Sequence, residues 1–387
     1  MNSKYLSHIQ DLNLVKEFPE WPTRSLENRT DIPAGSYWGR GEIESFKILR
    51  VRQQRTNMLL RQLHRFTDDA TQRVNQSQDI QNAIHFLGTD WRIHNAADLL
   101  TLGGKFAPFF TLLADVLQQP ETPQPDRQLR NRETYQSPSP ATSTSTSSSP
   151  SQPPAKRIRI TNSAESYIYS QETDQSTHDR QRKSEITTNA CIYTLLNCIA
   201  ENTRREDDET TFRLEWTITQ DTFHVAEKKP YEFSSTNDGN LVYRDRSSGQ
   251  WKRRGKISYC SIEAKSTYTS DTEDSPLEGQ EAAHIIGMLS QQLSNLQLFN
   301  TLNESTMIPL ISARQNKVYI VIGTFTKEYF DYIVTGKDVE RAFGTLYEYG
   351  PYDMQDVGDF TMICIICVAL VLYQEHRVRD SLHGESP

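Results

Sequence analysis

Between about Gln119 and Lys183 the chain carries Pro, Ser, Thr and Gln in large excess, and this tract divides the rest into two parts. The run from Ser137 to Pro154 is almost uninterrupted polar sequence. Such a segment buries too little apolar surface to offset the entropy of ordering its backbone, so it reads as a disordered linker. The expected organisation is a helical N-terminal region over 1–118, the linker over 119–183, and a second folded unit over 184–387. A hydrophobic content of 36% is low for a wholly globular chain of 387 residues, which agrees with part of it being unstructured. Within the linker, Lys156, Arg157 and Arg159 form a basic cluster. Nuclear import or a phosphate contact is one reading of it, and solvated linker charge is the other.

A net charge of -8 argues against a protein that coats nucleic acid by charge alone, because that binding rests on neutralising phosphates with Lys and Arg. A local basic patch is still compatible with it. The five cysteines, Cys191, Cys198, Cys260, Cys364 and Cys367, lie in apolar or strand-like stretches, and the N-terminus lacks the apolar core of a secretory signal. The expectation is an intracellular, reduced protein, nuclear or cytoplasmic. Cys364 and Cys367 make a CxxC without a second pair, and their Ile, Val and Leu neighbours favour core over zinc. Phe360–Tyr373 is apolar but shorter than the ~20 residues a helix needs to cross a bilayer. It reads as a buried helix, with a tail anchor as the alternative.

Residues 42–118 show helical spacing, with Leu49, Met58, Leu59, Leu60, Leu63 and Phe66 at three- and four-residue intervals. Two further helices follow, around Ile80–Leu87 and Phe106–Leu117, separated by Gly103-Gly104. This predicts a small all-α domain. After the linker the pattern becomes α/β. It gives a helix over 184–202, a strand over 212–219, a hairpin over 241–265, a helix over 276–298 and a strand over 318–324, then helices over 338–347 and 360–373.

The chemistry concentrates in Ile257–Lys265. Strand alternation puts Glu263 and Lys265 on one face and Cys260, Ile262 and Ala264 on the other, so an acid and a base project together from a strand whose back suits a core. Metal-dependent phosphodiester hydrolysis asks for such a pair. A carboxylate holds a hard cation, and an ammonium orients the attacking water or offsets developing negative charge. A second carboxylate is needed from a neighbouring strand, and Asp238, opening the strand that returns toward Glu263, is the first choice. Asp245 and Asp221 are its rivals. The plain alternative for Glu263 and Lys265 is a same-face ion pair on an edge strand. A second ExK triplet, Glu227-Lys228-Lys229, lies in a polar stretch with no apolar strand before it.

Asp238 followed by an apolar strand ending Ile262-Glu263-Ala264-Lys265 resembles the D…ExK core of the PD-(D/E)XK nuclease superfamily, over roughly residues 184–375. Asn237, rather than proline, precedes Asp238. The resemblance implies a restriction-endonuclease-like α/β fold, a mixed central sheet of about four strands flanked by helices. It also implies that Asp238 and Glu263 bind Mg2+ or Mn2+ and that Lys265 serves as catalytic base or charge stabiliser. Glu185 would match the first-helix glutamate of many members, and Gln280 the polar residue on the later helix. An alternative for Glu185 is a first-turn acid behind Ser184 as N-cap. In its helical start, polar spacer and terminal domain the chain is similar to fungal proteins carrying such domains. Nucleic acid is the implied partner, with no organic cofactor and no membrane.

Trp251, Lys252, Arg253, Arg254 and Lys256 follow the hairpin turn and combine positive charge with a ring, as a grip on a nucleic-acid backbone would. A solvated hairpin end is the alternative. His284, on the helix Glu278–Leu289, reads as a half-buried helix residue. A catalytically inactive scaffold that binds protein or nucleic acid is the competing function.

Overall fold

The computed structural model describes residues 26, 29, 32–54, 56–94, 96–118, 177–205, 212–246, 250–266, 276–296, 306–337 and 342–383. Most of the expected linker, including Lys156, Arg157 and Arg159, lies outside the described residues.

Among the described residues the centre is a mixed seven-stranded sheet. Its order is β1 (Ile48–Gln54), β9 (Gly344–Asp353), β8 (Lys317–Phe325), β7 (Thr306–Arg314), β6 (Lys252–Lys265), β5 (Gly239–Asp245) and β2 (Phe212–Thr217). β1 runs parallel to β9 and β6 parallel to β7, while the other neighbours are antiparallel. A separate pair, β3 (Thr222–Val225) and β4 (Phe233–Thr236), stands apart from this sheet. The α/β class is as the sequence predicts, but the sheet is larger than the four strands expected.

Three strands account for the difference. β7 and β9 are buried on both faces, which removes the alternation that marks a half-exposed strand. Residues 344–347, assigned above to a helix, belong to β9. β1 carries Leu49, whose spacing from Met58 onward suggests a helical stripe, and lies inside the region expected to be all helical.

The N-terminal helices are α1 (Arg40–Ser45), α2 (Thr56–Gln62), α3 (His64–Gln76), α4 (Gln78–Leu87), α5 (Ala96–Leu102) and α6 (Ala107–Gln118). They share a core with the C-terminal part rather than forming a domain of their own. Phe106 and Phe109 pack on Phe360 of α10 (Val357–His383), with ring centroids 6.2 and 5.7 Å apart. On the long helix α7 (Thr177–Thr203), Cys191, Ile192, Leu195, Leu196 and Ile199 form the stripe that an amphipathic helix buries. Together these cover the sheet face bearing Cys260, Ile262, Ile311 and Ile320. Losing the Phe360 ring would cost about 3–5 kcal/mol.

The opposite face bears Ile48, Ile308, Leu310, Val321 and Leu346, and is covered by α8 (Pro276–Leu296), α9 (Lys327–Thr335) and the β3–β4 pair. The N-terminal strap also reaches this layer. A Cβ on Gly279 of α8 would fall 2.3 Å from the Trp38 carbonyl oxygen, so glycine is what permits the approach.

α10 extends well beyond the predicted fourteen residues, and 25 of its residues are apolar enough by length and composition to cross a bilayer. Half of its 18-residue apolar window is buried, with Phe360, Ile363, Cys364, Ile366 and Cys367 inside the common core. Desolvation there pushes the Cys364 and Cys367 thiols up.

Candidate active site

Hairpin register brings the two predicted carboxylates together. Gly239 pairs with Ile262, Asn240 with Ser261 and Leu241 with Cys260. One step further in that register, Asp238 stands opposite Glu263, and its N–H donates to the Ile262 carbonyl at 3.1 Å. Opposed residues on antiparallel strands project to one face. Asp238 Oδ2 accepts from the Ala264 N–H at 2.9 Å, which fixes the carboxylate against the end of β6.

β6 presents Glu263 and Lys265 toward α8, with Ile262 and Ala264 in the opposite layer, as alternation requires. Lys265 Nζ lies 2.6 Å from Glu263 Oε1 and 3.0 Å from Glu185 Oε1. Glu185 lies within α7, eight residues past its start, so the N-cap role suggested for Ser184 does not apply. One turn on, Asn189 donates from Nδ2 to the Asp238 carbonyl at 2.9 Å, joining α7 to the strand that carries the second acid.

From the other side α8 contributes His284, whose Nε2–H donates to Glu263 Oε2 at 2.7 Å, since a carboxylate can only accept. Ser235 of β4 closes on His284 Nδ1. Glu263, His284 and Ser235 are all buried. His284 is therefore fully buried rather than the half-buried helix residue its sequence suggests, and Ser235 and Asn189 join the site without any sequence motif of their own. The one signal available was a histidine on the apolar side of the helix after ExK. The side chain that reaches Glu263 from this helix is that of His284, one turn after Gln280.

The electrostatics separate the two acids. Burial pushes Asp238 up to about 6, and the Glu263 charge adds to this. Burial also works against Glu263, but Lys265 and His284 outweigh it and hold that carboxylate below its ordinary value. Burial alone would lower Lys265; Glu263 and Glu185 more than reverse that, and the ammonium is held above its usual value. A lysine so held is a cation at neutral pH, which fits charge stabilisation rather than proton abstraction.

The rival acids lie elsewhere. Asp221 is tied to Arg253, with Nη1 at 3.0 Å, and to the Ser258 hydroxyl at 3.0 Å. Asp245 sits at the far end of β5, opposite Lys252. Trp251, Lys252, Arg253 and Lys256 belong to that same far end of β6. Counted along β5, from Asp245 opposite Lys252 to Asp238 opposite Glu263, seven steps of about 3.3 Å set the two ends roughly 23 Å apart. Trp251 is covered by Arg213, its guanidinium 4.2 Å from the ring centroid, and Lys252 and Lys256 are exposed. The Arg254 side chain lies outside the described residues.

A second ionic cluster lies beside the first under α8. Arg314 pairs across the strands with Lys265 in backbone register. Its Nη2 lies 3.0 Å from Glu281 and 3.3 Å from Glu348, and Arg50 of β1 reaches the same two acids, 2.6 Å from Glu281. Arg52 and Arg50 also meet Glu278. None of these residues belongs to the D…ExK pattern.

Asp238 and Glu263 supply hard oxygen donors of the kind Mg2+ takes, usually one or two carboxylates with water and phosphate completing the shell. Burial is the larger cause of the raised Asp238 and the Glu263 charge the second, and a divalent cation shared by the two acids would relieve that repulsion. Among the described residues no group of three or more His, Cys, Asp or Glu side chains is arranged to hold a metal. No protein-family model matches the chain, and no curated protein matches it.

Proposed function

We propose that the chain is a metal-dependent phosphodiesterase acting on nucleic acid, with a restriction-endonuclease-like core made by β5 to β8 between α7 and α8. The observation carrying this reading is the meeting of Asp238, Glu263, Lys265 and Glu185 at one end of β6. Asp238 and Glu263 would hold the ion, which when bound supplies Lewis-acid stabilisation and an activated water. The Lys265 ammonium offsets negative charge on the phosphoryl oxygens as the P–O bond breaks. Glu185 holds Lys265 in place, and His284 fixes the second oxygen of Glu263. The partly exposed Glu185 and Lys265 form the side open to substrate.

A non-catalytic scaffold is the second reading, favoured by the engagement of both Glu263 oxygens by Lys265 and His284. Cleavage of single- and double-stranded DNA and RNA by the full chain, in Mg2+ or Mn2+ against chelator, decides between them. The nuclease reading expects metal-dependent cleavage that Glu263→Gln and Lys265→Ala abolish. Absence of cleavage by a folded chain on every substrate would select the scaffold.

A further inference from the structure

At the opposite end of the sheet from Glu263, a cavity of about 550 Å³ opens between α7, β2 and α10. That volume lies within the range of small-molecule sites, roughly 300–1,000 Å³. Its floor is apolar, made by Leu196, Ile199, Leu214, Trp216, Val371 and Leu372. Six arginines line it as well: Arg73, Arg204, Arg205, Arg213, Arg246 and Arg379. This concentration of cations belongs to a chain whose net charge is -8.

Acids answer only part of that charge. Asp69 holds Arg73 and Arg205, Glu201 holds Arg204, Glu215 holds Arg213, and Glu375 also lines the cavity. Arg246 and Arg379 are exposed at the rim, and neither has an ion pair among the described residues. Arg213 and Arg246 flank the Trp251 ring, at 4.2 and 6.0 Å from its centroid. Burial and the nearby Arg204 and Arg244 charges lower Arg213, as expected where cations are crowded.

We infer that this cavity binds a single-chain anionic amphiphile, its hydrocarbon on the aliphatic floor and its carboxylate or phosphate on the Arg246 and Arg379 rim. Guanidinium groups match both anions in geometry, and an apolar floor gains from burying a chain at roughly 25 cal/mol per Å². The floor offers few polar groups with which to read a nucleobase. The inference is independent of the phosphodiesterase reading, since its residues are separate from Asp238, Glu263 and Lys265.

The test is calorimetric titration of the full-length protein with decanoate and decyl phosphate below their micelle concentrations, with neutral decyl maltoside, with inorganic phosphate, and with phosphatidylglycerol vesicles. Saturable binding of either decyl anion at one site per chain is expected, at least tenfold tighter than decyl maltoside or inorganic phosphate. The double variant Arg246→Ser/Arg379→Ser, at exposed positions, should weaken it at least tenfold. Val371→Trp, which fills the floor, should abolish it in a protein of unchanged circular dichroism. Equal affinity for the neutral amphiphile, full affinity in the rim variant, or no binding of either anion would overturn the inference. So would binding to the vesicles alone, which would assign the arginines to a membrane surface.

Discussion

Two charge clusters lie side by side under α8, and they are built differently. Arg50, Arg52 and Arg314 face Glu278, Glu281 and Glu348, so positive and negative groups balance. In the other cluster Asp238, Glu263 and Glu185 surround the single ammonium of Lys265, and burial together with the Glu263 charge pushes Asp238 up to about 6. A balanced, buried network satisfies itself and ties strands together. A surplus of acid at a partly open position is stable only with a proton or a cation, and such perturbed groups gather at functional sites. On this difference rests our proposal that the first cluster is architecture and the second is the site of chemistry.

The largest expected effect comes from breaking the balanced cluster at its N-terminal source. Deleting residues 1–54 removes Arg50, Arg52 and β1 together, leaving Glu281 and Glu348 short of cations and β9 as an edge strand paired with β8 alone. Loss of cooperative thermal unfolding is expected, followed by circular dichroism. Retention of a sharp transition would mean that the C-terminal part folds alone.

Glu281→Ala should cost about 3–5 kcal/mol in urea unfolding, because it removes one carboxylate from a buried network and leaves Arg50 and Arg314 to share Glu348. The same residue sets an acid limit. Burial opposes its charge, but Arg50 and Arg314 lower it from 4.5 to about 2. The stabilisation is therefore complete above pH 4.5 and drains away as pH falls toward 2, amounting to on the order of 3 kcal/mol. The urea midpoint of Glu281→Gln should vary less over that acid range than that of the wild type.

Much of the chemical cluster was legible in the sequence. Strand alternation alone put Glu263 and Lys265 on one face, and the hairpin length put Asp238 near them. Glu185 entered only through a family resemblance, and it does meet Lys265. His284 and Ser235 were invisible because their contacts join segments far apart in the chain, α8 and β4, and no spacing rule links them. The balanced cluster was hidden for the same reason, since its members come from β1, β7, β9 and α8. The sheet was undercounted where burial on both faces erased the period of two. Counting Leu49 into a helical stripe then concealed the strand that joins the N-terminal region to the rest.

In the chemical cluster Asp238→Asn should have the opposite sign to Glu281→Ala. A carboxyl raised from 3.8 to about 6 makes the wild type lose stability as pH climbs through that interval, with the full penalty present above it. In chelator at pH 7.5 the asparagine variant should be more stable by roughly 2–3 kcal/mol, and the gain should vanish below about pH 4. Thermal melts across pH check both limbs. Smallest of all, Glu185→Gln should change stability by less than ~1 kcal/mol, because its pair with Lys265 is partly exposed to solvent.

The most direct test of the contrast is a calorimetric titration of Mn2+ into the chelator-treated full chain, beside Asp238→Asn and Glu281→Gln. If the surplus of acid marks a cation site, the wild type and Glu281→Gln bind one ion per chain and Asp238→Asn does not. Equal binding by all three, or binding by none, would contradict it.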